Sequence, residues 1–320
     1  MPEPVRVGVI GVGSIGRHHA RIYAESPAAD LVGVHDIQLD RAEEIARSAA
    51  CRAFDELGAL LEGVDAVSIA VPTLLHEDIG MLCLGAGCDA LVEKPIASSI
   101  EAADRLIAAA AREDRLLQIG HVERYNPAVE ALLSRVKHPG FVEIHRLGSF
   151  AARSLEVDVI VDLMIHDIEI VHAMVDGDVD EVRAVGVPVL SDEIDIANAR
   201  LELSSGCIVN MTASRVSLNR VRKVRIFEPS GYLSVDYSAQ EVAQYRLGRE
   251  DGRPSIEAVP VEVIRAEPLD RQLNDFLRSV RTRRRPRVDG GAARKALQTA
   301  LRIRAAMTRQ PLADAAGLQG

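Results

Sequence analysis

VRVGVIGVGSIGRHHARIY, residues 5–23, decides the fold class of this 320-residue chain. Its first six residues are mostly apolar and predict a buried strand, and the residues after the last glycine predict a helix. The turn between them has the spacing GxGxxG and consists of Gly11, Val12, Gly13, Ser14, Ile15 and Gly16. Between a strand and a helix, this spacing predicts a dinucleotide-binding turn, in which Gly13 lets the backbone approach a pyrophosphate and the helix N-terminus offers its N–H groups.

An acidic residue ends the next predicted strand. Residues 31–35 are mostly apolar, and Asp36 follows them, twenty residues past Gly16. A carboxylate at this spacing meets the adenosine ribose hydroxyls and repels a 2′-phosphate, so we expect NAD as the cofactor. NADP is the less favoured alternative, which Arg41, about one helical turn farther on, would serve. The other role open to Asp36 is the N-cap of the following helix.

The alternation of elements predicts two domains. Up to residue 120 short apolar runs alternate with helical stretches, which is typical of a doubly wound parallel sheet, so residues 1–120 are the expected NAD-binding Rossmann domain. Residues 121–320 are rich in predicted strands separated by turn signals and form the expected substrate-binding α+β domain with a large, mostly antiparallel open sheet. The open face of such a sheet needs a cover, so we expect a homodimer or homotetramer.

Composition excludes several classes of function. A formal charge of −9 without interleaved aromatic and basic residues argues against nucleic acid as a partner. We expect neither a signal peptide nor a membrane span, and therefore a cytoplasmic protein. The four cysteines lack metal-binding spacing and are expected to be reduced thiols, with no metal site. The basic run at residues 278–287 is interpreted as the cationic end of a helix rather than a binding patch.

The tripeptide Glu93-Lys94-Pro95 follows a predicted strand and contains two candidate active-site residues, Glu93 and Lys94. Ligands of open α/β sheets bind beyond the carboxyl ends of the strands, so Lys94 is expected in the cofactor crevice. Its ammonium suits a hydrogen bond to a reacting hydroxyl and stabilisation of the alkoxide. Glu93 has three roles open to it: pairing with Lys94, holding the backbone, or contacting the nicotinamide. The alternative for the pair is a solvated Glu-Lys contact in a loop.

A later helical segment places two polar residues on one face. Asp162 and His166 are four residues apart within an otherwise apolar stretch. An imidazole titrates near neutrality and suits the removal of a hydroxyl proton, and a carboxylate one turn away orients it or binds substrate. The alternative is a capping Asp with a satisfied core His.

Four segments in this order, GVGSIG, VPTLLH at residues 71–76, EKP and DLMIHDIE, resemble the glucose-fructose oxidoreductase/inositol dehydrogenase/MocA family over essentially the whole length. The resemblance implies a lysine beside the nicotinamide at Lys94 and a catalytic, substrate-binding pair at Asp162 and His166. It also implies further cofactor contacts at Val71, Pro72, Thr73, His76 and Glu93. Glu169 stands where the family more often has Asp.

One more segment narrows the substrate. GHVERYNPAV, residues 120–129, resembles the branch of the family that oxidises C3 of UDP-N-acetylglucosamine to the 3-keto sugar used in amino-sugar and lipid A synthesis. Arg124, Tyr125 and Asn126 would then contact the sugar nucleotide, or else anchor the helix that starts at Pro127. The alternative substrates are free polyols or sugars such as an inositol, and the alternative class is a non-catalytic dinucleotide sensor.

Overall fold

A computed structural model describes residues 3–149, 157–250 and 253–309. Within it the chain divides into two compact units. The first comprises Met1–Tyr125 and Glu267–Arg294, and the second comprises Asn126–Ala266 and Lys295–Gly320. Among the described residues, no helix combines the length and the apolar character that a membrane span requires.

The first unit contains a six-stranded sheet in which all pairings are parallel. Its strands are β1 (Val5–Ile10), β2 (Ala29–His35), β3 (Arg52–Phe54), β4 (Ala66–Ile69), β5 (Asp89–Glu93) and β6 (Leu117–Gly120). Its first helices are α1 (Gly16–Glu25), α2 (Leu39–Ser48), α3 (Leu57–Leu61), α4 (His76–Gly85) and α5 (Ile100–Arg112). The strand order β3-β2-β1-β4-β5-β6 reverses direction between β1 and β4, which is the doubly wound order with its ligand-binding switch point. The predicted Rossmann domain is thereby confirmed.

The second unit contains a nine-stranded mixed sheet. Its strands are β7 (Phe141–Leu147), β8 (Val179–Val187), β9 (Ile196–Leu203), β10 (Ile208–Ser214), β11 (Val221–Glu228), β12 (Gly231–Asp236), β13 (Glu241–Glu250), β14 (Arg253–Val259) and β15 (Met307–Arg309). The order is β14-β13-β12-β11-β7-β10-β9-β8-β15, and only the β7–β10 and β8–β15 pairings are parallel. The prediction of a large, mostly antiparallel sheet is confirmed. Its helices include α6 (Pro127–Leu133) and α7 (Ile165–Met174).

Two further helices follow the last long strand. Helix α8 (Pro268–Thr282) belongs to the first unit, and α9 (Gly290–Ala306) begins in the first unit and ends in the second. Leu273, Phe276 and Leu277 of α8 are buried in the same hydrophobic cluster as Val7 of β1 and Ile22 of α1. A single domain boundary after residue 120 is therefore wrong for this segment, because the apolar face of α8 covers the dinucleotide-binding sheet.

Several local predictions agree with the structure. The sequence predicts helices at His76–Gly85 and Ile100–Arg112, the second capped at Ser98-Ser99, and α4 and α5 have these bounds. Ser99 accepts a hydrogen bond from the backbone N–H of Ala102 at 3.1 Å. The basic run at the end of α8 forms ion pairs, including Arg284 with Asp275 at 2.5 Å. It is a paired helix end, as its sequence indicates.

Candidate active site

The glycine turn is shaped for a ligand that needs close backbone approach. Gly11 has φ of +80°, and a Cβ there would lie 2.9 Å from the carbonyl of Ala70. A Cβ at Gly16 would overlap the carbonyl oxygen of Gly11, so the turn closes only without side chains at these two positions. Gly13, in contrast, has open space and only the Arg41 guanidinium at 4.0 Å. Such a bare backbone concavity at the N-terminus of α1 fits the pyrophosphate of a dinucleotide.

Asp36 is fixed by backbone groups on both sides. One carboxylate oxygen accepts from the N–H of Val12 and the other from the N–H of Gln38, each at 2.9 Å. Arg41 approaches the same carboxylate at 3.4 Å. The N-cap position of α2 is occupied by Gln38, so Asp36 is not that cap. It instead ties the end of β2 to the glycine turn, and a carboxylate oxygen with one N–H bond retains a lone pair for a further donor.

The Glu93-Lys94-Pro95 turn begins at the carboxyl end of β5, and its Lys94-Pro95 peptide bond is cis. Glu93 holds the backbone of the turn, because one of its carboxylate oxygens accepts from the N–H of Lys94 at 3.3 Å. The other oxygen lies 3.3 Å from Nε2 of His19, which is buried in α1. Burial raises the pKa of Glu93, but His19 and Lys94 together bring it below its ordinary value. Glu93 is therefore ionised at neutral pH.

His76 connects two loops at the same edge of the sheet. Its Nδ1 lies 2.8 Å from the carbonyl oxygen of Pro95, and its Nε2 lies 3.0 Å from that of Val71. A neutral imidazole has one N–H, so it donates to one of these two carbonyls at a time. Burial lowers the pKa of His76 despite both carbonyls, which keeps the ring neutral. His76 thus holds the Val71 loop against the Pro95 turn from a buried position.

The other loop residues predicted to contact the cofactor lie nearer the surface. Thr73 begins a single 3₁₀ turn that ends at Leu75, and Val71 and Thr73 are half-buried while Pro72 is exposed. Ser14 and Ile15 are exposed in the glycine turn. These groups are accessible to a ligand, unlike His76.

His121 adds a second buried imidazole after β6. Burial chiefly, and then the positive charge of Lys94, lower the pKa of His121 to about 3, so its ring is neutral at physiological pH. The preceding residue, Gly120, pairs with Glu93 across the β5–β6 ladder. A Cβ at Gly120 would overlap the Glu93 carboxylate, which therefore lies directly over the Gly120 backbone.

The second unit presents Asp162 and His166 on one continuous helical segment. Residues Ile160–Met164 form a π-helical turn that continues directly into α7. The prediction of an uninterrupted α-helix is wrong at this turn, where Asp162 lies. Asp158 begins the segment by accepting from the N–H groups of Ile160 and Val161 at 3.0 Å each. Both Asp162 and His166 are half-buried, and π-helical turns inside helices are frequent at functional sites.

Neighbouring acidic residues on α7 have a different environment. Asp167 forms a buried, two-bond ion pair with Arg146 of β7, at 2.6 and 2.9 Å. Glu169 is buried as well. The segment therefore separates the accessible Asp162 and His166 from Asp167, which anchors the helix on the sheet.

Arg124, Tyr125 and Asn126 lie where the two units join along the chain. Asn126 caps α6 by accepting from the N–H of Ala128 at 3.1 Å, and its amide donates to the carbonyl of Tyr237 at 3.0 Å. Tyr125 is buried, and the Arg287 guanidinium stacks on its ring at 4.9 Å. Arg124 is half-buried. Asn126 and Tyr125 thus anchor the chain, and Arg124 is the most accessible of the three.

The sequence did not single out His19, Gly120 or His121 as site residues. His19 had one signal, because it lies on the face of α1 that also carries Ala20 and Tyr23, both buried. Its partner is 74 positions away in the sequence, so only the fold brings them together.

Comparisons with known proteins agree with this geometry. Residues 5–121 match the oxidoreductase family with an NAD-binding Rossmann fold, and residues 129–233 match the GFO/IDH/MocA C-terminal domain. The chain is 39% identical to UDP-N-acetylglucosamine 3-dehydrogenase of Acidithiobacillus ferrooxidans, covering 95% of this chain and 97% of the relative. A solved structure of that enzyme superposes with a TM-score of 0.89 at 38% identity, over 95% of this chain and 98% of the other. Inositol 2-dehydrogenase of Acidothermus cellulolyticus is 31% identical over 57% of this chain and 56% of its own.

Proposed function

The chain belongs to the Gfo/Idh/MocA family of NAD-binding oxidoreductases, and from that premise we propose that it oxidises C3 of UDP-N-acetylglucosamine to the 3-keto sugar. The observation that carries this proposal is the nearly end-to-end similarity to a UDP-N-acetylglucosamine 3-dehydrogenase. The similarity to an inositol 2-dehydrogenase extends over little more than half of either chain. A free polyol is therefore the second candidate substrate.

We assign NAD rather than NADP to the glycine turn. Gly11, Gly13 and Gly16 would hold the pyrophosphate, and Asp36 would accept hydrogen bonds from the adenosine ribose hydroxyls. Asp36 is a buried carboxylate beside the turn, and its negative charge opposes a 2′-phosphate. When bound, NAD supplies the hydride acceptor of the reaction.

The chain's own side chains supply the other functions of the reaction: removal of the hydroxyl proton, stabilisation of the negative charge and binding of the sugar nucleotide. Lys94 donates a hydrogen bond to the reacting hydroxyl and stabilises negative charge on its oxygen as the proton leaves. His166 accepts that proton, and Asp162 orients the imidazole or binds the sugar. Arg124 is the side chain of the 124–126 segment that we assign to the charged part of the sugar nucleotide, because Tyr125 and Asn126 are buried in structural contacts.

Substrate oxidation tests the proposal directly. Purified protein receives NAD and one of four alcohols: UDP-N-acetylglucosamine, UDP-glucose, free N-acetylglucosamine or myo-inositol, and NADH formation is followed by absorbance. We expect a signal with UDP-N-acetylglucosamine, including a short burst if the keto product is unfavourable at equilibrium. A signal only with myo-inositol would transfer the assignment to the polyol substrate. If none of the four alcohols gives NADH while NAD still binds, the result would favour a non-catalytic dinucleotide sensor.

Variants test the residue roles in the same assay. Lys94→Met removes the ammonium and keeps most of the side-chain length, so turnover is expected to fall by a factor of about 100 or more while NAD binding is retained. Lys137→Met is the matched control, because Lys137 is exposed in the second unit. His166→Gln should lose activity most strongly at neutral pH and below, where an external base is scarce. Full turnover in either site variant would remove that residue from the mechanism.

We also propose that a second copy of the chain covers the open face of the nine-stranded sheet. Phe141, Phe227, Tyr232 and Tyr245 form a cross-strand row on that sheet, with ring centroids 4.6–5.9 Å apart. This row holds four of the ten aromatic residues of the chain, and Phe227 is 39% exposed. Sedimentation of the wild type and of Phe227→Lys tests the assignment: we expect a dimer or tetramer that the charge weakens.

NAD and sugar nucleotides are cytoplasmic metabolites, so we assign the enzyme to the cytoplasm.

A further inference from the structure

We propose that His19 is a positioning residue for the dehydrogenase reaction: its imidazole holds the Glu93 carboxylate against the backbone of Lys94 and so fixes the catalytic lysine. The inference rests on the proposed role of Lys94. It concerns a residue of the dinucleotide-binding helix itself, three positions after the last glycine of the turn.

The contacts form a continuous connection from α1 to Lys94. The His19 side chain is fully buried, and its Nε2 lies 3.3 Å from one Glu93 oxygen. The other Glu93 oxygen accepts from the N–H of Lys94 at 3.3 Å. Each carboxylate oxygen therefore has a different partner, and Glu93 joins the helix of the cofactor turn to the catalytic tripeptide.

Gly120 restricts Glu93 from the neighbouring strand. It lies opposite Glu93 in the β5–β6 ladder, and any Cβ at this position would overlap the carboxylate. Glu93 is consequently packed against backbone on one side and beside His19 on another. Gly120 therefore restricts the carboxylate on one side, and the contact with His19 restricts it on another.

Several titratable groups face Glu93, and they come from every element around it. They are His19 and Tyr23 of α1, His76 of α4, His121 after β6, and the adjacent Lys94. Burial lowers the pKa of both His76 and His121, so neither supplies a positive charge near neutral pH. Tyr23 shares a 2.8 Å hydrogen bond with Ser68, and burial raises the pKa of its hydroxyl.

Among these groups, His19 and Lys94 are therefore the two that lower the pKa of Glu93, with the contact to His19 the larger influence. Because the pKa of Glu93 is below its ordinary value, the carboxylate is present at neutral pH and is lost only as the pH falls through that lowered value. Removing His19 takes away the larger of the two influences, so the pKa of Glu93 should rise while Lys94 continues to lower it. The pH below which Glu93 becomes protonated should then move upward.

Two substitutions at position 19 separate positioning from simple packing. His19→Leu removes the donor and keeps an apolar side chain of similar size, whereas His19→Gln keeps an N–H donor near the place of Nε2. We expect His19→Leu to lower kcat by a factor of about 10–100 and to raise the pKa of Glu93. His19→Gln should recover most of both effects. His18→Leu is the matched control, because His18 is the exposed neighbour on the same helix.

NAD affinity and the Glu93 variant complete the test. The Kd for NAD should change by less than about threefold in His19→Leu, since the glycine turn is untouched. Glu93→Gln removes the carboxylate that His19 is proposed to hold, so adding His19→Leu to it should change kcat little further. Parallel losses of kcat and NAD binding, or full additivity of the two substitutions, would overturn the proposal.

A titration without turnover distinguishes this inference from the proposed function. The carboxyl carbon of Glu93, assigned in labelled protein by comparison with Glu93→Gln, is followed by NMR against pH in the wild type and in His19→Leu. We expect the pKa of Glu93 to rise in His19→Leu, even if UDP-N-acetylglucosamine proves not to be the substrate. An unchanged pKa would refute the role of His19 whatever the enzyme oxidises.

Discussion

Replacing Asp36 with Asn tests how this carboxylate serves both the fold and the choice of cofactor. The side chain is buried and accepts two backbone N–H bonds, from Val12 and Gln38, at 2.9 Å each. Asn keeps one acceptor oxygen and turns its NH₂ group toward the second N–H. One charge-assisted hydrogen bond is lost, which costs about 1.5–3 kcal/mol of unfolding free energy.

This loss of unfolding free energy can be measured as a lower melting temperature. A domain of about 150–250 residues loses roughly 2–4 °C of Tm per kcal/mol, so Asp36→Asn should melt about 3–12 °C lower. Asp40→Asn makes the same chemical change at an exposed position in the first turn of α2, where the helix dipole gives a carboxylate about 0.3–1 kcal/mol. Its melting temperature should fall by much less.

The same variant should alter cofactor preference. Asn no longer repels a 2′-phosphate, and Arg41, which now lies 3.4 Å from Asp36, becomes available to bind one. Calorimetric titration with NAD and NADP should show the ratio of the NADP Kd to the NAD Kd falling by about tenfold or more, equivalent to about 1.4 kcal/mol. An unchanged ratio in a folded variant would show that Asp36 does not face the ribose, and Asp40→Asn should leave the ratio at the wild-type value.

Two further predictions concern the glycine turn and a buried histidine. Gly16→Ala should abolish NAD binding in a calorimetric titration, because its Cβ overlaps the Gly11 carbonyl oxygen. The control Gly85→Ala, at the end of α4, should bind NAD normally, because a Cβ there has open space. Tight NAD binding by Gly16→Ala would contradict this geometry. Burial lowers the pKa of His172 from 6.5 to about 4. Between these two pH values the unfolded chain binds a proton that the folded chain does not. The unfolding free energy should therefore fall by about 3 kcal/mol from pH 6.5 to pH 4. Urea unfolding should show that the unfolding free energy of His172→Gln falls by that much less than the wild type's over this pH range. An equal fall in both proteins would rule out His172 as its source.

Much of the first unit could be predicted because its signals are local. A strand, a glycine turn and a helix within about twenty residues are sufficient to identify a dinucleotide-binding unit. Helices α4 and α5 begin and end at the predicted residues, with Ser99 capping α5. The return of α8 to this unit could not be predicted, because an amphipathic pattern shows that Leu273 and Phe276 are buried without showing which sheet buries them.

The helix that carries Asp162 illustrates a limit of periodicity. Apolar residues three and four positions apart fit an α-helix, and a single wider π-helical turn changes that pattern too little to be recognised in the sequence. The relative facing of Asp162 and His166 therefore depends on a backbone feature that the structure reveals. Similarly, the capping role of Asn126 was one of two readings of the sequence, and its bond to Ala128 supports that one.

Glu93 shows how a residue's role depends on partners that the sequence does not reveal. Its position next to Lys94 suggests a salt bridge between the two side chains, yet its oxygens contact the Lys94 backbone N–H and the His19 imidazole. A carboxylate engaged in this way orients the turn, and it leaves the attraction between Glu93 and the Lys94 ammonium as a smaller influence on its pKa. Glu93 thus joins the helix of the glycine turn to the backbone of Lys94, the lysine that we propose to be catalytic.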